Sequence, residues 1–216
     1  MKKNEPMSSL THLVGAVASL ALLSCLVTFS ALRQSASTVV ASAIFGSSLF
    51  LLYLASTLYH FFSEDTKTKR VFQRIDHAMI YVLIAGTYTP IALALPQRAW
   101  GWTLFGLVWG FAALGVTLKA LGKGVGGWLS PLSYLLLGWM VAIAWRPLAA
   151  WLPREALRLL FLGGILYTVG SVFYALDYRV PRSRWFGMHE LFHLFVLAGS
   201  TCHSWLVFEY IVLRTT

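Results

Sequence analysis

Seven stretches of about 20 residues with few charges divide this chain of 216 residues. That is the length a helix needs to cross a hydrocarbon core roughly 30 Å thick. Inside such a core every backbone polar group must be paired within the protein, which leaves helices or closed barrels. Barrel strands would alternate in polarity over about 10 residues. These stretches do not, so the sequence predicts an all-α polytopic membrane protein, a bundle of seven transmembrane helices. The expected spans are residues 10–32, 37–62, 76–96, 100–120, 129–149, 156–177 and 187–212. The fifth is the least regular, because glycines and a proline crowd its start. Only 12% of the residues are charged and 58% are hydrophobic, against about 25% charged in a soluble domain. That is too little charge to cover a water-facing surface. No connecting segment is long enough for a separate soluble domain, which gives a short N-terminal segment over 1–9 and one membrane domain over 10–213. The first stretch exceeds the apolar part of a secretory signal, about 7–15 residues, and no small-x-small cleavage site follows it. It is read as retained.

The formal net charge is +9. Nucleic-acid binding would be one use for that excess, but its distribution points to the membrane instead. Lys and Arg in short loops favour the cytoplasmic side. With the N-terminus inside, eleven of them lie in inner segments: Lys2, Lys3, Lys67, Lys69, Arg70, Arg74, Lys119, Lys123, Arg179, Arg182 and Arg184. Six lie outside: Arg33, Arg98, Arg146, Arg154, Arg158 and Arg214. The expectation is a cytoplasmic N-terminus and an external C-terminus, with the inner clusters against anionic headgroups, at about 1 kcal/mol per residue near the surface. Tryptophans such as Trp100, Trp102, Trp128, Trp151 and Trp185 fall near expected helix ends, as an aromatic belt requires. Cys25 and Cys202, without CxxC spacing, are expected to be buried free thiols.

Ionisable groups inside membrane spans are costly, and each is a functional candidate. In the expected topology His60 ends the second span, Asp76 opens the third, and His189 and His193 open the seventh. All four then sit at one depth, near the inner boundary. His189 and His193 are four apart, so they share a helix face one turn from each other. That spacing suits two imidazoles on one zinc ion, and His60 can supply a third nitrogen. Three protein ligands with an open fourth position describe a catalytic zinc site. Asp76 would hold the attacking water or orient a ligand imidazole. Ser56, one turn before His60, would steady the site or polarise a substrate. Plainer readings exist: an HxxxH pair alone is a weak signal, Ser56 could be a packing serine, and Asp76 could pair with Arg74. His77 and Glu190 are expected off the site, towards the interface and the headgroups. His203, about 15 Å beyond His193, is expected to line a cavity or make a hydrogen bond. Glu209 is expected at the outer interface. Pro90 should kink the third span, for packing or to widen a cavity.

Taken together, Ser56-Thr57-Leu58-Tyr59-His60, Asp76 and His189-Glu190-Leu191-Phe192-His193 resemble the progestin and adipoQ receptor family, most of all its bacterial hemolysin III branch. Thr11-His12-Leu13-Val14-Gly15 and Ala85-Gly86-Thr87-Tyr88-Thr89-Pro90 also look like that branch, so the resemblance runs from residue 11 to residue 203. It implies seven helices, a cytoplasmic N-terminus in a bacterial inner membrane, and a zinc ion near the inner face on His60, His189 and His193, with Asp76 and Ser56 beside it. It also implies distant kinship with membrane ceramidases and other lipid-modifying hydrolases. The cytoplasmic arm that the family's hormone receptors carry has no counterpart in the few residues before the first span.

Three functions compete. The first is a zinc-dependent hydrolase of a lipid amide or ester, with Asp76 as the base and a substrate bearing an acyl chain. The second is a non-enzymatic sensor or regulator of membrane state in which zinc clamps helices. The third is a lytic, pore-forming protein. A pore needs a continuous polar path, and the outer half of the sequence has few residues to line one.

Overall fold

The structure is a computed structural model that describes residues 6–62, 67–122, 129–177, 179 and 186–214. Lys2, Lys3, Lys123, Arg182, Arg184, Trp128 and Trp185, used above for orientation and the aromatic belt, lie outside the described residues. The described residues are almost wholly helical: α1 (Pro6–Arg33), α2 (Ala36–Phe61), α3 (Lys67–Ala94), α4 (Arg98–Ala120), α5 (Leu129–Gly138), α6 (Trp145–Trp151), α7 (Arg154–Leu176) and α8 (Met188–Val207). A 3-10 stretch, Trp139–Ala144, joins α5 to α6, and a π-helical turn, Phe208–Val212, extends α8. They make seven spans long and apolar enough to cross a membrane, the fifth being Leu129–Trp151 and the seventh Met188–Val212. The all-α, seven-span expectation holds.

Neighbouring spans pack in a closed circuit: α1 on α2, α2 on α3, α3 on α4, the fifth span on α4 and α7, α7 on α8, and α8 back on α1. α3 also reaches α5 and α8, and it is the most enclosed of the spans. Phe45, Leu49, Leu52, Leu83, Leu104, Val108, Leu148 and Leu206 form the buried centre. Large apolar side chains such as Val17, Leu32, Trp102 and Leu136 point outward and are exposed, as contact with lipid tails requires. Small residues bring helices close. Gly86 of α3 sits against the side chain of Ser48, which leaves no room for a Cβ. Ser30 and Ser42 join α1 to α2 at 2.8 Å.

The start of the third span and the regularity of the fifth differ from the sequence reading. The third span was expected to open at Asp76, but α3 begins nine residues earlier, at Lys67. The segment from Lys67 to Arg74 is polar yet rich in good helix formers, so the helix continues past the apolar run that marks it. The fifth span is not one α-helix. The Tyr88 hydroxyl donates to the Gly138 carbonyl and accepts from the Val141 N–H at 2.8 Å. Those backbone groups are thereby satisfied outside the α-helical pattern, where α5 gives way to the 3-10 stretch. α3 itself runs through Pro90 without ending, and the Thr89 hydroxyl covers the Ala85 carbonyl at 2.8 Å. The cysteines are free as expected but not buried: Cys25 is exposed and Cys202 half-buried, because both lie away from the bundle centre.

Candidate metal centre

Two elements supply the three imidazoles of the centre. His60 lies in the last turn of α2, while His189 and His193 lie in the first two turns of α8. One donor atom from each comes within 4.8 Å of the other two. The Nε2 atoms of His60 and His189 are 3.2 Å apart. Two nitrogens on one tetrahedral zinc, each about 2.0–2.1 Å from it, would stand about 3.3 Å apart. The donor set and the His60–His189 spacing therefore fit a metal ion.

The ring orientations are held from outside. Thr11 of α1 gives its hydroxyl proton to the Ser8 carbonyl at 2.9 Å, so its oxygen is left to accept. The Nδ1 of His193 lies 3.2 Å from that oxygen. Proton on Nδ1 and lone pair on Nε2 is the tautomer this arrangement selects, and Nε2 is then the free donor atom. Asp177, just past the end of α7, accepts from the His189 N–H at 3.1 Å, and its other carboxylate oxygen is 4.0 Å from His189 Nδ1. The carboxylate thus stands near the ring at ion-pair distance, on the side from which carboxylates orient metal-ligand imidazoles.

Ser56 and Asp76 are both buried and hydrogen-bonded to each other, and no ion pair joins Asp76 to Arg74 among the described residues. Both line the same cavity as His189 and His193. That cavity continues between α3, the fifth span, α7 and α8 past Leu83, Ile84, Ile91, Leu160 and Val196 as far as His203. His203 lines it as expected and hydrogen-bonds the Leu160 carbonyl at 3.1 Å.

Two residues are not where the sequence put them. His77 was expected at the interface but lines the cavity, because α3 is flanked on several sides. Glu190 was expected near headgroup level but is fully buried. It accepts from Ser8 Oγ at 2.6 Å and from the Gly187 N–H at 2.8 Å, closing the first turn of α8 and tying it to α1.

Sequence reasoning missed Thr11, Asp177 and the placement of His12. The ring of His12 is buried and stacks on His193, with centroids 3.6 Å apart and planes at 7°. Asp177 carried a usable signal: it ends the expected sixth span and is the only acidic residue from there to the start of the seventh.

The Haemolysin-III related family matches residues 1–204. The chain is 41% identical to the Hemolysin-3 homolog of Bacillus subtilis, covering 97% of this chain and 95% of that protein. It is 37% identical to Hemolysin-3 of Bacillus cereus, covering 97% and 93%. A more distant likeness, 25% identity over 78% of this chain and 69% of the other, links it to the human Monocyte to macrophage differentiation factor.

Proposed function

The chain belongs to the haemolysin-III-related family, and from that premise we propose that it is a zinc-dependent integral membrane hydrolase, acting in membrane homeostasis on a lipid amide or ester. One observation carries this reading. Three convergent imidazoles, of which His189 and His193 line the cavity, and a Ser56–Asp76 pair stand beside a cavity whose walls are mostly apolar. Such a cavity suits a substrate with an acyl chain, its polar bond at the histidines and its chain along Leu83, Ile84, Ile91, Leu160 and Val196.

Zinc on His60, His189 and His193 would supply a Lewis acid for the scissile carbonyl and a water made nucleophilic near neutral pH. Asp76 takes the proton of the attacking water and returns it to the leaving group. The Ser56 hydroxyl holds the Asp76 carboxylate in one orientation for both transfers. The apolar walls bind the chain and exclude bulk water. The split of loop charges supports an orientation with the N-terminus inside, the C-terminus outside and the site near the inner face of the plasma membrane.

The same imidazoles join α2 to α8, which favours a second reading, a sensor clamped by its metal. Asp76→Asn separates the two. If the site hydrolyses lipids, release of amine or alcohol from a lipid panel should fall about 10²–10⁴-fold while metal content is unchanged. Equal, robust rates from wild type and variant would remove Asp76 as the base. No release from either protein across the panel would leave the sensor reading standing.

A further inference from the structure

We infer that the lipid taken by this cavity has an acidic phosphate head, held where α3, α4 and α5 meet by His77, Gln73 and the charge of Lys119. This rests on the reading that the cavity holds an acyl chain, and it names the class of lipid. With the chain along Leu83 and Val196 and the polar bond at the histidines, the head has to leave on the remaining side. That side is built from the last turn of α2, the first turns of α3, the last turn of α4 and the first turns of α5. Gln73 and His77 of α3 line it, with Ser130 and Tyr134 of α5.

Lys119 was expected among the charges that face headgroups, yet the fold buries it in the last turn of α4. A buried charge in a membrane span is costly and points to a function, and the proposed hydrolysis gives this one none. Its Nζ donates to Ser130 Oγ at 2.6 Å and lies 6.0 Å from the centre of the Tyr134 ring. Tyr134 donates in turn to the His77 carbonyl at 3.2 Å, and Lys119 and the His77 ring stand close enough to act on each other electrostatically. The ammonium is thereby tied to the cavity wall. Asp76 is the only carboxylate among the described residues that line the cavity, and it is engaged with Ser56. Donors are at hand. The half-buried His77 ring has no hydrogen bond among the described residues, and neither of its nitrogens is enclosed. An uncharged imidazole has one N–H to give. Gln73, exposed at the mouth, gives one amide hydrogen to Tyr59 Oη at 3.3 Å and keeps a second. Donors on α3 beside a cation on α4 suit the outward oxygens of a phosphate. A hydroxyl head would leave the charge unanswered, and a cationic head would be repelled.

The test uses the full chain, purified in mild detergent and loaded with zinc. It compares three ligands that share one chain and have no acyl ester or amide: hexadecyl glycerol ether, its phosphate monoester and its phosphocholine ester. The monoester should bind about tenfold to a hundredfold more tightly than the alcohol, as hydrogen bonds to a charged group allow. The phosphocholine, whose cation meets that of Lys119, should lose most of the gain. Lys119→Met and His77→Phe should each bring the monoester down towards the alcohol, and if Lys119→Met does not fold, His77→Phe decides. Equal affinities for alcohol and monoester in the wild type, or a preference that survives the variants, would overturn the inference and leave the acyl-chain reading intact. So would a preference that disappears when a chelator strips the zinc, because the metal would then be what holds the phosphate. Displacement of the monoester by glycerol phosphate at matching concentrations would mean a site for free phosphate esters and not for a lipid. Failure of all three ethers to bind would overturn the acyl-chain reading and this inference with it.

Discussion

Each imidazole of the centre is held on its far side or packed by another ring, and this sets what single substitutions should do. Replacing His60, His189 or His193 with Ala removes a donor nitrogen and should sharply lower the metal content of purified protein, read by elemental analysis. His203→Ala should keep the metal, since His203 is about 15 Å from His193 along α8. An unchanged metal content in the His189→Ala/His193→Ala double variant would refute the assignment. Thr11→Val keeps the shape of the side chain but removes the acceptor for His193 Nδ1. Asp177→Asn weakens the support of His189. Each should reduce metal affinity about 10- to 100-fold, measured by competition with a chelator. The three histidines were legible because their type is rare in a membrane span and their spacing is helical. Thr11 and Asp177 were not, because a threonine or a helix-end aspartate gains meaning only when the fold sets it beside an imidazole ring.

At the scale of elements, apolar run length located all seven spans, because hydrocarbon thickness acts on every helix alike. It could not locate the start of α3, where helix propensity rather than lipid decides. Nor could it show the interruption of the fifth span, which depends on Tyr88, a residue 50 positions before Gly138 in the chain. Tyr88→Phe would leave the Val141 N–H and the Gly138 carbonyl without their hydroxyl partner. The variant should lose about 1–3 kcal/mol of stability, seen as a lower thermal midpoint in detergent. An unchanged midpoint would mean that those backbone groups find partners without the hydroxyl.

For the molecule as a whole, the orientation inferred from loop charges makes a direct claim. A reporter fused after Thr216 should read as external, and a cytoplasmic reading would reverse the topology and move the centre to the opposite face. The centre also draws on both ends of the chain. Ser8 bonds Glu190, and Thr11 bonds His193, each across 182 positions. A ribosome delivers α1 and α2 to the membrane long before α8 exists. Until then His60 waits with no second or third imidazole, and Thr11 with no ring to orient. A metal ion that these three imidazoles could hold would therefore be captured only after synthesis and insertion had run to the seventh span.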